Sequence, residues 1–203
     1  DISTEDLKKA LTGVGLTEGR VFDRALLDKV EQELLRQYYS RGRYAVRINS
    51  QVQPLERNRV AVTLEISEGA VASIGQINIV GNKTFSEKAL RSEISLTTPN
   101  WLSWYTKDDQ YSKQKLQADL ESLRSFYQNR GYLEFAIEST QVAISPDKDE
   151  VFLTINVSEG AQFTVGAVQI AGELVVSEAE LRSLVAVKPG EVFSRSRMQS
   201  SVK

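Results

Sequence analysis

Residues 73–81 read Ser-Ile-Gly-Gln-Ile-Asn-Ile-Val-Gly, and residues 164–172 read Thr-Val-Gly-Ala-Val-Gln-Ile-Ala-Gly. The two stretches match in chemical type, position for position, at an offset of 91 residues. Other pairs of stretches follow in the same order, namely 62–69 with 153–160 and 86–92 with 177–183 at offset 91, 35–39 with 123–127 at offset 88, and 19–22 with 190–193 at offset 171. Ordered blocks at nearly constant offsets indicate internal repeats.

The repeats predict three units. Residues 69–160 form the complete unit, residues 1–68 form a unit without its first strand, and residues 161–203 end within the second helix of another unit. We therefore expect the sequence to be a piece of a longer protein.

Each unit reads strand, helix, helix, strand, strand. In the complete unit, the first strand contains Ile74, Ile77 and Ile79 and ends at Gly81-Asn82. The pattern then predicts helices at about 86–95 and 112–129 and a hairpin of 132–145 with 151–158. The first unit has the corresponding hairpin, 44–53 with 60–67, and Pro54 and Pro146 are expected in the turns.

The second helix of each unit carries an apolar stripe at helical spacing. The stripe of the complete unit is Leu116, Leu120, Leu123 and Tyr127, and that of the first unit is Leu27, Val30, Leu34 and Tyr38. Gly131 and Gly42 follow these helices, where a left-handed residue is favoured. Ser177 and Glu180 have the spacing of a capping box at the start of a first helix.

These elements predict an α+β fold. A three-stranded sheet with both helices packed on one face buries the two stripes. The hairpin makes the second and third strands antiparallel neighbours, and the first strand then lies beside the third. The sheet is mixed, and its second strand is an edge with one side unpaired.

Composition limits the chemistry that the chain can perform. The chain has no His and no Cys, which removes the usual general bases, thiol nucleophiles and zinc ligands, so we expect no catalytic residue, metal or cofactor. Basic and acidic residues number 25 and 27 and are well mixed, which argues against nucleic-acid binding. No run is long and apolar enough to predict a membrane helix.

The second strand of the complete unit has an irregular pattern. Phe135 and Ile137 have one parity, while Val142 and Ile144 have the other, and a regular strand cannot place both pairs on one face. This predicts a β-bulge within residues 138–141. The bulge either protects the edge against aggregation or marks a strand that accepts another chain.

A second candidate is the aromatic stretch Trp101-Leu102-Ser103-Trp104-Tyr105, between the two helices of the complete unit. It would be either an exposed patch for a partner or a lipid surface, or a set of rings that fold back onto their own helices. We expect the second arrangement for Trp101, Trp104 and Tyr105.

Three stretches resemble the POTRA repeats (polypeptide-transport-associated domains) of the Omp85 superfamily. They read Gln-Ile-Asn-Ile-Val-Gly-Asn at 76–82, Leu-Arg-Ser-Phe-Tyr-Gln-Asn-Arg-Gly-Tyr at 123–132, and Ser-Thr-Gln-Val at 139–142 followed by Ser-Pro-Asp-Lys at 145–148. By this likeness the three units look like part of a second, a whole third and part of a fourth POTRA domain.

The resemblance implies a function in the periplasm of a Gram-negative bacterium. Such repeats precede a C-terminal β-barrel in the outer membrane, hold accessory lipoproteins and receive unfolded outer-membrane β-barrel proteins. It also implies that the edge strand docks a β-propeller lipoprotein through Glu138, Val142 and Ile144. The whole candidate edge comprises Phe135, Ile137, Glu138, Ser139, Thr140, Gln141, Val142 and Ile144. The same edge could pair with that of a second copy.

Three other interpretations remain open. The chain could be the POTRA region of a different Omp85 relative, from a translocation or secretion system. It could be a passive spacer that only sets a distance between a barrel and soluble factors. An enzyme working through Asp, Glu, Lys or Tyr alone ranks last, because a unit of this size offers little room for a shared cleft.

Overall fold

The computed structural model describes residues 4–13, 15–170 and 177–201. The helices are α1 (Thr4–Gly13), α2 (Arg24–Ser40), α3 (Glu87–Arg91), α4 (Ser103–Thr106), α5 (Lys113–Gln128), α6 (Glu178–Leu184) and α7 (Arg195–Ser200). The strands are β1 (Arg47–Leu55), β2 (Arg59–Ser67), β3 (Ser73–Val80), β4 (Ala136–Ile144) and β5 (Glu150–Ser158).

The middle unit contains a three-stranded sheet in the order β3-β5-β4. Strand β3 pairs with β5 in parallel, and β4 pairs with β5 in antiparallel orientation. The predicted mixed sheet, with the first strand beside the third and the second at an edge, is confirmed.

The core of the middle unit lies between the sheet and its helices. Alternate residues of β5 are buried, and they are Val151, Leu153, Ile155 and Val157. From α5 the core takes Leu116, Leu123, Phe126 and Tyr127, whereas Leu120 is only partly buried at its margin. The stripe predicted for α2 is buried at all of its positions. Burial of these apolar side chains is the main stabilising contribution.

The outer units are less complete. Strands β1 and β2 form a two-stranded antiparallel sheet. The strand expected at 164–172 is reduced, within the described residues, to a bridge between Thr164 and Val192, and residues 171 and 172 lie outside the described part. In the middle unit the corresponding strand β3 pairs with β5.

The structure corrects one repeat offset. Leu34 and Tyr38 occupy the buried positions of Leu123 and Tyr127, so the second helices align at an offset of 89 rather than 88. The offset of 88 matched Tyr39 to Tyr127, because two tyrosines are adjacent in the first unit. Only Tyr38 is buried, so Tyr38 is the counterpart of Tyr127.

Helix α3 is shorter than the predicted 86–95. It begins after Ser86, whose side chain caps it, and ends at Arg91. The following backbone is held instead by Asp119 of α5, whose carboxylate accepts hydrogen bonds from the N–H groups of Ser95 at 2.7 Å and Leu96 at 2.9 Å. The capping box of Ser177 and Glu180 at α6 is confirmed.

The two hairpin turns differ from each other. Pro146 lies in the turn between β4 and β5, as predicted, whereas Pro54 lies within β1 opposite Val60. The turn of the first hairpin comes later, at Arg57 and Asn58, which both have positive φ. Proline is tolerated in β1 because β1 is paired on one side only, so the missing N–H can face the open side.

The junctions between units repeat one backbone pattern. Ala72 N–H donates to Gly42 C=O at 2.8 Å, and Phe163 N–H donates to Gly131 C=O at 2.9 Å. Gly131 has φ +91°, and a Cβ added there would lie 2.8 Å from the carbonyl oxygen of Phe163. The glycine that ends each second helix therefore provides the backbone contact for the next unit.

A buried glutamate joins three elements of the middle unit. Glu159 accepts a hydrogen bond from the Tyr127 hydroxyl at 2.8 Å, and from the Thr84 N–H at 3.0 Å and hydroxyl at 2.9 Å. Burial works to raise the pKa of Glu159, but these hydrogen bonds outweigh it and leave the pKa below its ordinary value. Glu68 accepts from Tyr38 at 3.0 Å in the first unit, so the interaction is repeated.

We expect Glu159→Gln to lower the free energy of unfolding by about 1–3 kcal/mol at neutral pH, because it removes charge-assisted hydrogen bonds. A carboxylate with a depressed folded pKa stabilises the fold above its ordinary pKa of 4.5, and this contribution is lost as the pH falls through the folded value. The difference between variant and native chain should therefore shrink in acid, as measured by urea unfolding across pH.

The control for this prediction is Glu138→Gln, which alters an exposed glutamate of the same unit. It should change the free energy of unfolding by no more than about 0.5 kcal/mol. A loss for Glu159→Gln that stays constant from neutral pH into strong acid would contradict the assigned role.

Candidate binding edge of the middle unit

Strand β4 presents free main-chain groups along its outer side. Ser145 N–H donates to Glu150 C=O at 2.9 Å, which sets the phase of the antiparallel ladder. Because bonded and non-bonded residues alternate in such a ladder, Thr140, Val142 and Ile144 direct their N–H and C=O groups away from β5. In the described part of the chain, residues 136–144 make no backbone hydrogen bond outside their ladder with β5.

The predicted bulge is confirmed, and Glu138 is its extra residue. Ile137 pairs with Val157 and Ser139 pairs with Asn156, so Glu138 has no partner of its own. The shift places Ile137, Val142 and Ile144 on one face, opposite residues of β5 that face the core. The side chain of Glu138 is exposed.

The two faces of β4 differ in chemistry. Val142 and Ile144 lie on the helix side, next to the buried Leu153 and Val151, yet they stay 38% and 43% exposed. The opposite face carries Ser139 and Gln141, followed by Ala143 beside Phe152. The amide of Asn156 donates to the Ser139 hydroxyl at 2.7 Å across this face.

One predicted edge residue belongs to the core instead. Phe135 precedes β4 and is only 3% exposed. Its ring stacks on that of Tyr127 with the centroids 4.1 Å apart. The parity that Phe135 shares with Ile137 correctly gave its face, but its place at the base of the strand puts it under α5, so it is not available to a partner.

The other edge of the sheet is partly covered. Ile74 N–H donates to Asp109 C=O at 2.7 Å, and Tyr111 N–H donates to Ala72 C=O at 3.0 Å, so the chain before α5 lies along the start of β3. A second register shift lies at Gly75, beside the ring of Phe152. The sequence carries a signal for this shift, because the apolar residues Ile74 and Ile77 have opposite parity. Both are buried in the structure.

Trp101 and Tyr105 of the aromatic stretch do not fold back as expected. Trp101 is 82% exposed and Tyr105 is 76% exposed, and the side chain of Trp104 lies outside the described set. The buried Ser103 anchors this stretch by donating to Asp108 at 3.1 Å, and hydrogen bonds from Thr106 and Ser103 lower the pKa of Asp108. Tyr105 follows Ser103 by two residues in α4, which is about 200° around the helix, so it points away from the protein when Ser103 faces inward.

Two kinds of site are absent from the part of the chain that the structure describes. No helix in that part of the chain combines the length and apolarity needed to cross a membrane. No group of three or more Asp and Glu side chains there is placed to hold a metal ion.

Comparison with known sequences gives consistent matches. The family model "POTRA: Surface antigen variable number repeat" matches residues 1–69, 72–160 and 163–203. The outer membrane protein assembly factor BamA of Neisseria meningitidis serogroup B is 35% identical over 198 residues, which are 97% of this chain and 25% of that protein. A putative outer membrane protein assembly factor of Treponema pallidum is 29% identical over 189 residues, which are 91% of this chain and 22% of that protein.

The chain thus spans about a quarter of the length of these curated relatives. Among solved structures, the crystal structure of Haemophilus influenzae BamA POTRA3-5 matches with a TM-score of 0.55 at 18% identity. The match covers 99% of this chain and 78% of that one, and it shows a shared fold.

Deletion of Glu138 tests the position of the bulge. Without Glu138, β4 becomes a regular strand that keeps Ile137, Val142 and Ile144 on the helix side, so we expect a loss of no more than about 1 kcal/mol in unfolding free energy.

Deletion of Asn49 from β1, which has a regular register, is the matched control. It turns Ile48 and Val52 to opposite faces and should cost at least about 2 kcal/mol. Equal losses in urea unfolding would contradict this placement.

Proposed function

This chain belongs to the POTRA family, and from that premise we propose that it is a docking region of an outer-membrane protein assembly factor. The chain is the periplasmic region of an outer-membrane protein. The relatives are named for outer-membrane protein assembly, and the present chain matches about a quarter of their length. The proposed role is that of a scaffold rather than of an enzyme.

The observation that carries this proposal is the unpaired outer side of β4. Thr140, Val142 and Ile144 offer three N–H and three C=O groups in a regular row. Another polypeptide can add itself to such an edge as a further strand through main-chain hydrogen bonds. These bonds do not depend on a particular side-chain sequence, which suits a receptor for many unfolded outer-membrane β-barrel proteins.

We assign a second occupant, a folded accessory lipoprotein, to the same strand. The bulge leaves the carboxylate of Glu138 in solvent, and Val142 and Ile144 add half-exposed apolar surface at the far end of the strand. A charged group beside apolar side chains is the usual composition of a specific protein interface. The resemblance to POTRA repeats points to a β-propeller lipoprotein, and the exposed positions support a contact of that kind.

A spacer role would use the same fold differently. The junctions at Gly42 and Gly131 repeat the same backbone hydrogen bonds, which suits a chain that sets fixed distances. The two roles are compatible in one molecule, and peptide binding at β4 separates them, because a passive spacer needs no open edge.

Val142→Pro should weaken binding of extended peptides by about tenfold or more, because it removes an N–H that points outward and puts a ring in the path of an added strand. The fold should be retained, since the N–H of Val142 does not bond to β5. Fluorescence anisotropy of a labelled peptide from a transmembrane β-strand measures the binding, and circular dichroism checks the fold.

Ala143→Pro is the matched comparison at the next residue. The N–H of Ala143 belongs to the ladder with Phe152, so this variant should instead lose stability, by about 3 kcal/mol or more. Unchanged peptide affinity in a folded Val142→Pro chain would count against docking at β4.

Site-specific photocrosslinking tests the lipoprotein contact. A photoreactive residue at Glu138, Val142 or Ile144, in the full-length protein in cells, should trap a periplasmic lipoprotein. The same residue at Val151, which is fully buried in β5, should trap none. An equal yield of adducts from the edge and buried positions would rule out this contact.

A further inference from the structure

The loop between α3 and α5 presents two aromatic rings to solvent. Trp101 and Tyr105 are four residues apart across the start of α4, so their side chains leave the same face of that turn. Ser103 lies between them, about 200° around the helix from each, and its burial turns both rings away from the protein. Leu102 is 42% exposed beside them. These three apolar side chains, Trp101, Leu102 and Tyr105, form a protruding aromatic patch.

Lysine side chains surround the base of the aromatic patch. The ammonium group of Lys115 donates to the carbonyl oxygen of Lys107 at 2.6 Å, so the first turn of α5 lies against the end of α4. Lys107 and Lys113 are exposed. Two carboxylates are close in sequence, but that of Asp108 accepts hydrogen bonds from hydroxyls of the loop itself, and Asp109 is half-buried. The charge displayed to solvent beside the patch is therefore mainly positive.

Aromatic rings flanked by lysines have the composition of a membrane-interface contact. Tryptophan and tyrosine are favoured at the level of the lipid headgroups, because each combines an apolar body with a polar tip. Each lysine near an anionic bilayer strengthens binding about fivefold. A peptide helix needs a groove, whereas the aromatic patch protrudes, as insertion between headgroups requires. The chain is the periplasmic region of an outer-membrane protein, so a bilayer borders its compartment.

The position of the loop decides which side of the middle unit would meet a bilayer. Ile74 N–H donates to Asp109 C=O at 2.7 Å, and Gln110 forms an antiparallel bridge with Ser73, so the end of the loop runs along β3. Strands β3 and β4 are the two edges of the sheet. They are two strand spacings apart, or about 10 Å.

We propose that the aromatic patch seats the middle unit on the anionic phospholipid surface of a bilayer, with the β3 side toward the lipid and β4 on the side away from it. The two rings enter the headgroup region, and Lys107 and Lys113 meet the lipid phosphates. The contact is reversible, since one short loop buries less apolar area than an interfacial helix. This inference goes beyond the docking proposed above and does not depend on it.

Vesicle flotation of the 203-residue chain tests the contact, with vesicles of equal parts phosphatidylcholine and phosphatidylglycerol. Trp101→Ser with Tyr105→Ser should weaken binding about tenfold or more, because the two rings supply most of the apolar area. Val21→Ser is the control, since Val21 is 95% exposed outside the patch, and it should leave binding unchanged. Circular dichroism should show the native fold in both variants.

A second pair of substitutions tests the lysines. Lys107→Asn with Lys113→Gln should weaken binding to the same vesicles about tenfold or more. Asparagine is chosen because Lys107 has φ +51°, a left-handed conformation that asparagine tolerates. Equal affinity of the native chain for these vesicles and for vesicles of phosphatidylcholine alone would overturn the assignment to an anionic surface.

A fluorescent label tests the orientation. The chain has no cysteine, so a single introduced cysteine places a nitrobenzoxadiazole dye at a chosen position. On Pro99→Cys, beside the patch, the dye should brighten when vesicles are added, because it enters a less polar medium. On Gln141→Cys, in β4, it should not. Both positions are exposed in the free chain, and brightening at both would overturn the orientation.

The remaining outcomes separate this inference from docking at β4. Failure of the native chain to float at millimolar lipid, or equal binding by the native chain and the Trp101 and Tyr105 double variant, would overturn the lipid contact and leave docking intact. In the full-length protein in cells, a photoreactive residue at Tyr105 should form no protein adduct. A defined protein adduct there would overturn the proposal by assigning the patch to a protein partner.

Discussion

The middle unit depends on β5, the strand that is paired on both sides and buried on one face. Val151, Leu153, Ile155 and Val157 turn toward the helices, and β3 and β4 occupy the two edges of the strand. With this strand at the centre of a three-stranded sheet, β4 must be an edge. The open row of main-chain groups is therefore a geometric result of where the core lies.

An open edge is a hazard that proteins usually reduce, and β4 shows a partial reduction. The bulge at Glu138 interrupts the ladder near its start and places a charge there, which discourages the pairing of long flat edges. Residues 139–144 beyond the bulge keep a regular register. The strand thus combines a protected end with a short regular segment, an arrangement that suits weak and reversible addition of another strand.

The sequence contained much of this architecture. The order of elements and the mixed sheet followed from the repeats and the long hairpin, and the parity conflict between Ile137 and Val142 located the bulge to within four residues. The same reasoning applied to Ile74 and Ile77 would have found the bulge at Gly75. Parity gives the face of a strand residue, and for this reason it correctly predicted which residues of β4 and β5 lie on the helix side.

Other features could not be obtained from the sequence pattern. Whether Phe135 is buried depends on how far α5 extends over the sheet, and parity carries no information about position along a strand. Asp119 lies on the buried face of α5, three residues after Leu116 and four before Leu123, and the periodicity does not show which groups satisfy its carboxylate. The structure pairs it with the backbone after α3. The exposure of Trp101 and Tyr105 depends on the anchoring of Ser103, a contact that no periodicity records. Tertiary contacts decided each case.

The hydrogen bonds at Gly42 and Gly131 also bear on how such chains evolve. Main-chain atoms supply one constant part of each junction, and the close approach of the backbone leaves no room for a Cβ at the glycine. Side chains add contacts that differ between the junctions, Tyr44 with Tyr111 at the first and Asn129 with the Ser196 N–H at the second. A duplicated unit would find its main-chain attachment point already present. Arrays of this kind can change in number of units by recombination, and sister units can diverge far in sequence without losing their connection.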